Sequence, residues 1–223
     1  MSSEENKKNL EYWNGLHKNY ERNEIVSDDW LRVFNPIIDE ARGPAIDLGC
    51  GSGNDTLYLL NRKKRVIPCD GSVNAIANIR KNFPEINEAI CFDMLDKFPI
   101  VSNSTDLVIA DLCLHYFRKD ETIAILKEIR RILVNRGHMF LRVNSINDVN
   151  HGACFGEEIE PHLYRTDDGR LKRFFDYKDI YDYFNMFDIK YVREETMHRY
   201  KLEKKNFVVG VRNRCWKYKK MLA

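Results

Sequence analysis

The chain has 223 residues, of which 43% are hydrophobic and 31% charged, and its formal net charge is +2. This composition favours one folded domain with a substantial core and excludes a disordered chain. No apolar run approaches the roughly 20 residues that span a bilayer. The six cysteines include no Cys-x-x-Cys pair, and the N-terminus is polar, so we expect reduced thiols, a cytoplasmic location and no membrane partner.

Helical and strand patterns alternate along the chain, which is typical of a doubly wound parallel sheet. The apolar spacing predicts helices over residues 7–20, 28–40, 54–61, 73–82, 121–133 and 176–187. Asp28 or Asp29 is expected to cap the second helix and Ser72 the fourth. Strands are predicted over residues 45–48, 66–69, 88–92, 105–110, 138–143, 188–194 and 207–212.

The last two predicted strands are close together in the chain, so we expect them to form a hairpin. The fold class is therefore a Rossmann-like α/β sheet of seven strands, mostly parallel, with an antiparallel C-terminal strand. We expect a single domain over residues 1–223, in which residues 1–40 form an N-terminal helical cap.

Residues 144–172, called the insertion below, fit neither the helical nor the strand pattern. The insertion is rich in Asn, Asp, Glu and Gly and directly follows a predicted strand. Segments of this length are usually functional lids or disordered. Because ligands of α/β sheets bind at the carboxyl ends of the strands, we expect the insertion to cover a substrate.

A glycine-rich turn follows the first predicted strand. The acid Asp47 is followed by Gly49, Gly51 and Gly53 at alternate positions. Such glycines let the backbone press against a nucleotide-like ligand, because a Cβ would obstruct it. A second acid, Asp70, ends the next strand at the distance expected for binding a ribose. The two motifs together indicate an adenosine-containing cofactor.

These motifs resemble those of class I S-adenosylmethionine-dependent methyltransferases. The third glycine comes one position earlier than in dinucleotide-binding sites, and the resemblance extends over residues 45–143. It implies S-adenosylmethionine as the cofactor, with the glycine turn around the methionine moiety, Asp70 on the ribose hydroxyls and Asp93 on the adenine amine. Core packing is the alternative for Trp13 and Tyr116. The cofactor residues that the resemblance implies are Asp47, Gly49, Cys50, Gly51, Gly53, Asp70, Gly71, Ser72, Asp93, Met94, Asp111, Tyr116 and Trp13.

Methyl transfer from a sulfonium is a direct displacement, so the enzyme mainly positions the reacting atoms. His115 follows the fourth strand and is the candidate catalytic base where the acceptor must lose a proton, with packing against the cofactor as the alternative. The histidines and cysteines lack the paired spacing of a zinc site, so we predict no metal. Candidate substrate residues lie at the end of the fifth strand and in the insertion, namely Arg142, Asn144, Glu158 and His162.

Three functions fit this pattern. A small-molecule methyltransferase is favoured, because the run after the fourth strand lacks the Asn-Pro-Pro-Tyr type of motif with which related enzymes bind a flipped base. The overall layout resembles tellurite-resistance and thiopurine methyltransferases. In the second reading, the basic tail with Lys217, Lys219 and Lys220 guides an RNA or protein substrate. The third is a regulator that binds the cofactor without catalysis. The sequence does not determine the oligomeric state.

Overall fold

The structure is a computed structural model that describes residues 4–19, 25 and 28–214. Its helices are α1 (Glu4–Leu16), α2 (Asn35–Glu40), α3 (Asn54–Asn61), α4 (Val73–Asn82), α5 (Lys119–Ile132) and α6 (Tyr177–Tyr183). Its strands are β1 (Ala45–Leu48), β2 (Val66–Asp70), β3 (Ile90–Cys91), β4 (Thr105–Asp111), β5 (Leu133–Asn144), β6 (Glu157–Glu160), β7 (Leu163–Arg165), β8 (Leu171–Arg173), β9 (Asp188–Met197) and β10 (Lys204–Arg212).

Seven of these strands form one sheet in the order β3-β2-β1-β4-β5-β10-β9. The pairs among β1 to β5 are parallel, whereas β10 is antiparallel to both of its neighbours. The predicted fold class is therefore confirmed. The strand order reverses between β1 and β4, and in open α/β sheets a ligand crevice forms beyond the carboxyl ends of the strands at such a point.

Burial explains why β1 and β4 are central. All four positions of β1 are buried, and alternate residues of β4 point to opposite faces. Val108 packs into one apolar cluster together with α5, while Leu107 and Ile109 pack into a second cluster with α2 and the preceding turn. Each face of the sheet is thus covered by helices, which fixes the position of the strand ends.

The predicted helices over 54–61 and 73–82 are confirmed with their bounds, and the Ser72 hydroxyl caps α4 by accepting from the Ala75 N–H at 3.1 Å. A continuous helix over 28–40 was wrong. A 3-10 helix, Asp29–Phe34, precedes α2, and Pro36 lies in the first turn of α2. A longer helix would place Pro36 in its interior, where proline removes a hydrogen bond and clashes with the preceding turn.

The insertion contains regular structure where periodicity predicted none. Strands β6, β7 and β8 form a three-stranded antiparallel sheet of their own. These strands are only three or four residues long, too short to show an alternating pattern in the sequence. No helix in the described ranges is long and apolar enough to cross a membrane.

Candidate functional site

A cavity of about 530 Å³ opens at the carboxyl ends of β1, β2 and β4. Its lining comes from α1, the turn after β1, the ends of β2 and β4, the three-stranded sheet and the segment between β9 and β10. The cavity brings together most of the predicted cofactor residues. Those on its wall are Trp13, Gly49, Cys50, Gly51, Asp70, Gly71, Asp93, Met94, Asp111 and Tyr116.

The glycine turn serves two separate purposes. Gly49 and Gly51 line the cavity with φ angles of +70° and +51°, values that favour glycine. A Cβ at Gly49 would lie 2.5 Å from the Cβ of Cys113, so only glycine fits there. Gly53 does not line the cavity, and a Cβ at that position would lie 2.6 Å from the Phe83 ring. The third glycine therefore permits close packing of the turn on Phe83.

Replacing Gly49 with alanine should destabilise the fold by about 2 kcal/mol or more, because the left-handed backbone and the contact with Cys113 are both unfavourable. Urea denaturation measures this change. Gly15→Ala is the matched control, since a Cβ there meets nothing within 4 Å and alanine favours a helix by about 0.5–1 kcal/mol. Equal stability of the Gly49→Ala variant and the wild type would contradict the assigned backbone geometry.

Asp70 presents a carboxylate that is already oriented by the backbone. Its Oδ2 accepts from the Gly51 N–H at 2.9 Å, and its Oδ1 accepts from the Ser72 N–H at 2.8 Å. A carboxylate has about four lone-pair sites, so each oxygen keeps one for a ligand. Ser72 itself is buried and does not line the cavity. Its contribution to the site is this backbone contact with Asp70.

Asp47 lies behind the turn and does not line the cavity. Its side chain is buried and accepts a hydrogen bond of 2.5 Å from the Thr56 hydroxyl. Burial raises the pKa of Asp47 to about 7, although the hydrogen bond from Thr56 opposes this shift. The structure therefore places Asp47 as a buried support that ties the end of β1 to α3.

Helix α1 closes one side of the cavity through polar contacts. The Asn6 amide donates to Asp93 Oδ2 at 2.6 Å, and the Asn9 amide donates to the Tyr116 carbonyl at 3.1 Å. The rings of Trp13 and Tyr116 meet edge to face, with centroids 5.4 Å apart. The sequence does not single out either asparagine in advance, although they precede Trp13 by seven and four residues, the spacing of one helix face.

The end of the cavity at β1 and β4 is acidic. Asp55 and Asp111 line it, and the Trp30 indole N–H donates to Asp55 at 2.9 Å. Burial is the main cause that raises the pKa of Asp55 well above its usual value. Arg142 donates to Asp111 at 2.6 Å and to Asp28 at 2.8 Å. Of the two predicted caps, Asp28 or Asp29, Asp28 occupies the N-cap position of the 3-10 helix, but its carboxylate makes no cap hydrogen bond and pairs with Arg142.

None of the four predicted substrate residues lines the cavity. Arg142 is buried as the counterion just described. Asn144 is fully buried and donates weakly to the Arg173 carbonyl at 3.4 Å. Glu158 is exposed and accepts from the His162 N–H at 2.9 Å, and the His162 ring lies 2.7 Å from Asp179. Glu158 and His162 hold the insertion together and join it to α6.

His162, Asp176 and Asp179 place side-chain atoms of the kind that bind metal ions within 4.8 Å of one another. Asp176 and Asp179 form the capping box of α6, and Asp179 also bonds His162. Helix capping accounts for this group of side chains.

His115 lies on the cavity wall and is 1% exposed. Its Nδ1 has no hydrogen-bond partner among the described residues. Burial, with Lys204 and Lys172 nearby, lowers the pKa of His115 well below its usual value. The imidazole is therefore neutral at neutral pH and can accept a hydrogen bond.

Fold and site together define an α/β domain that holds an adenosine-type cofactor at its strand switch point. Residues 46–141 match a family model described as a methyltransferase domain. An uncharacterized methyltransferase of Schizosaccharomyces pombe is 26% identical over 159 residues, and the match covers 71% of this chain but 60% of that relative. Over residues 46–141 the chain is therefore similar to methyltransferase domains.

Two solved structures share the fold. A methyltransferase from Anabaena variabilis has a TM-score of 0.71 at 19% identity, and the alignment covers 96% of each chain. The 1,6-didemethyltoxoflavin-N1-methyltransferase of Burkholderia thailandensis, solved with its substrate and S-adenosylhomocysteine, has a TM-score of 0.67 at 16% identity, with 96% of this chain and 92% of that chain covered.

Proposed function

We propose that this protein transfers a methyl group from S-adenosylmethionine to a small molecule by direct displacement. The observation that carries the proposal is the cradle formed by Gly49, Gly51 and Asp70. Gly49 and Gly51 present backbone without side chains to the cavity, and Asp70 keeps lone pairs on both oxygens beside it. Such a cradle suits the ribose of the cofactor on Asp70 and its methionine moiety along the glycine turn.

The lining residues fit the other parts of the cofactor. Asp93 would accept from the adenine amine, and Trp13 and Tyr116 would cover the adenosyl group. The carboxyl groups of Asp55 and Asp111 line the cavity and offer oxygen acceptors for the cofactor's amino group. When bound, the cofactor supplies an electrophilic methyl group on a sulfonium. The chain's own residues contribute alignment and exclusion of water, which lower the barrier by several kcal/mol.

Enclosure of the cavity supports a small acceptor. Helix α1 lies on one side, and Thr166, Arg170 and Lys172 reach it from the insertion, in line with the proposed cover over 144–172. The Burkholderia neighbour acts on a small molecule, 1,6-didemethyltoxoflavin. In the RNA or protein alternative, Lys217, Lys219 and Lys220 lie outside the described residues. The narrower likeness to tellurite-resistance and thiopurine enzymes stays a prediction.

Two measurements test the proposed function. S-Adenosylhomocysteine should raise the thermal stability, by about 2.7 kcal/mol at a hundredfold excess over its dissociation constant. With methyl-labelled S-adenosylmethionine and fractionated cell extract, label should enter the small-molecule fraction. Label confined to RNA or protein would support the basic-tail alternative. Binding without any transfer would support the regulator, and no binding would overturn all three.

His115 is the proposed catalytic residue, whose neutral imidazole on the cavity wall accepts a hydrogen bond or a proton from the acceptor. His115→Gln should keep S-adenosylhomocysteine binding and lower transfer by about a hundredfold or more where a proton is removed. His198→Gln is the matched control, because the His198 side chain is 72% exposed. Unchanged kcat in the His115→Gln variant would assign His115 to packing.

A further inference from the structure

The cavity carries opposite charges at its two ends. Its acidic residues are Asp55 in the first turn of α3, Asp70 and Asp111 at the ends of β2 and β4, and Asp93 just after β3. The basic end is formed by cations of the insertion and by Lys204 at the start of β10, whereas Arg199 reaches the acidic end from the segment between β9 and β10. These cations are Arg170, Lys172, Arg199 and Lys204. The cofactor is a cation at its sulfonium and amino groups, so the acidic end suits it and the basic end suits something else.

Three of these four cations already have a carboxylate partner. Lys204 Nζ lies 2.7 Å from the fully buried Asp148. Arg170 pairs with Asp168 at 2.7 Å. Arg199 lies 3.7 Å from Asp111, at the acidic end. The charges of Lys204 and Arg170 are therefore balanced within the protein, whereas Nη1 of Arg199 is buried without a hydrogen-bond partner among the described residues.

Lys172 differs from the others. Its Nζ donates to the His151 carbonyl at 2.6 Å, and it belongs to no ion pair in the described part of the chain. Burial, together with Lys204 and Arg170, lowers the pKa of Lys172 to about 8, although Asp148 opposes the shift. A partly buried ammonium without a counterion is unfavourable and gains from an anion.

The position of Lys172 is fixed by the small sheet. In the β7–β8 pairing Lys172 lies opposite Tyr164, and its Nζ is 5.4 Å from the Phe174 ring centroid. His115, whose Nδ1 is buried and unpartnered, lines the same cavity. The positive charges of Lys172 and Lys204 both lower the pKa of His115. Lys172, which lacks a counterion, and the His115 ring, which has an unpartnered nitrogen, therefore lie close together at the basic end.

We propose, resting on the methyltransferase function above, that the methyl acceptor carries an anionic group (a carboxylate or a phosphate) that Lys172 binds with help from Arg170. The anion supplies the counterion that the protein lacks, and it orients the acceptor with its reacting atom toward His115 and the cofactor. The cofactor's own carboxylate would be bound by the unpartnered Nη1 of Arg199. Lys172 is thus a specificity residue for the acceptor.

The test uses the protein saturated with S-adenosylhomocysteine, at constant ionic strength. Calorimetry compares each anion with a neutral counterpart: succinate with succinamide, benzoate with benzamide, and phenyl phosphate with phenol. At least one anion should bind ten times more tightly than its counterpart, and the pair that does so tells carboxylate from phosphate. Lys172→Met should weaken the binding of that anion about tenfold, and Lys172→Arg should keep most of the affinity. Both variants should bind S-adenosylhomocysteine as the wild type does.

Lys178→Met is the matched control, because its side chain is 80% exposed and pairs only with Asp182, so it should leave anion binding unchanged. Where Lys172→Met gives no folded protein, Arg170→Gln replaces it with the same expected loss. The proposal is overturned by equal binding of anions and neutral counterparts, by no anion binding, or by a Lys172→Met variant that binds the anion normally. It is also overturned if Lys172→Met weakens the binding of S-adenosylhomocysteine as much as it weakens the binding of the anion. Failure of S-adenosylhomocysteine to bind the wild type would instead refute the proposed function.

Discussion

Asp70→Asn should weaken S-adenosylhomocysteine binding on the order of a hundredfold, because hydrogen bonds to a charged group contribute about 1.5–3 kcal/mol each. The carboxylate oxygens accept from the Gly51 and Ser72 N–H groups at 2.9 and 2.8 Å. An asparagine amide would turn an NH₂ group toward one of these donors, so the variant loses a ribose acceptor and disturbs the turn. Isothermal titration calorimetry measures the dissociation constant.

Asp96→Asn provides the control, since Asp96 is exposed in the loop after Asp93 and does not line the cavity. Its dissociation constant should equal that of the wild type. If Asp70→Asn bound S-adenosylhomocysteine within threefold of the wild type, the ribose would have to lie elsewhere in the cavity.

The sheet could be predicted because its information is local. An apolar run such as Ala45–Leu48, an acid at its end and a glycine turn each lie within a few residues, and parallel strands buried on both faces give continuous apolar runs. The resulting fold is confirmed, and the match of residues 46–141 to a methyltransferase domain agrees with the resemblance. Local spacing also explains why the bounds of α3 and α4 agree with the prediction.

The cavity wall could be predicted only in part, because much of it depends on contacts between distant segments. Asn6 reaches Asp93 across 87 positions of the chain, and Lys204 meets Asp148 across 56. No sequence period records such pairs. Arg142 shows the converse problem: a cation at a strand end suggests a substrate contact, yet two carboxylates already neutralise it.

Glycine spacing left a further ambiguity that only packing resolves. The alternate spacing of the three glycines suggests that they share one role, and all three do have positive φ. The structure separates Gly49 and Gly51, which line the cavity, from Gly53, which packs on Phe83. A conformational requirement for glycine therefore does not identify a ligand contact.

Asp148→Asn should destabilise the protein by about 3–5 kcal/mol, because it leaves Lys204 as an uncompensated buried charge. The side chains of Lys204 and Asp148 are 6% and 0% exposed, with Nζ and Oδ2 2.7 Å apart. Asp148 Oδ1 also accepts from the Lys205 N–H at 3.0 Å, so this one carboxylate joins the insertion to β10. Urea denaturation at neutral pH measures the loss.

The double variant Asp148→Asn with Lys204→Met should recover much of that stability, since no buried charge is left unpaired, and this recovery distinguishes charge burial from lost packing. Asp182→Asn is the control, because its partner Lys178 is 80% exposed and such surface pairs contribute about 0–1 kcal/mol. A loss below about 1 kcal/mol in Asp148→Asn would mean that water reaches Lys204. The basic end of the cavity would then be solvated, and Lys172 would need no anion from the acceptor.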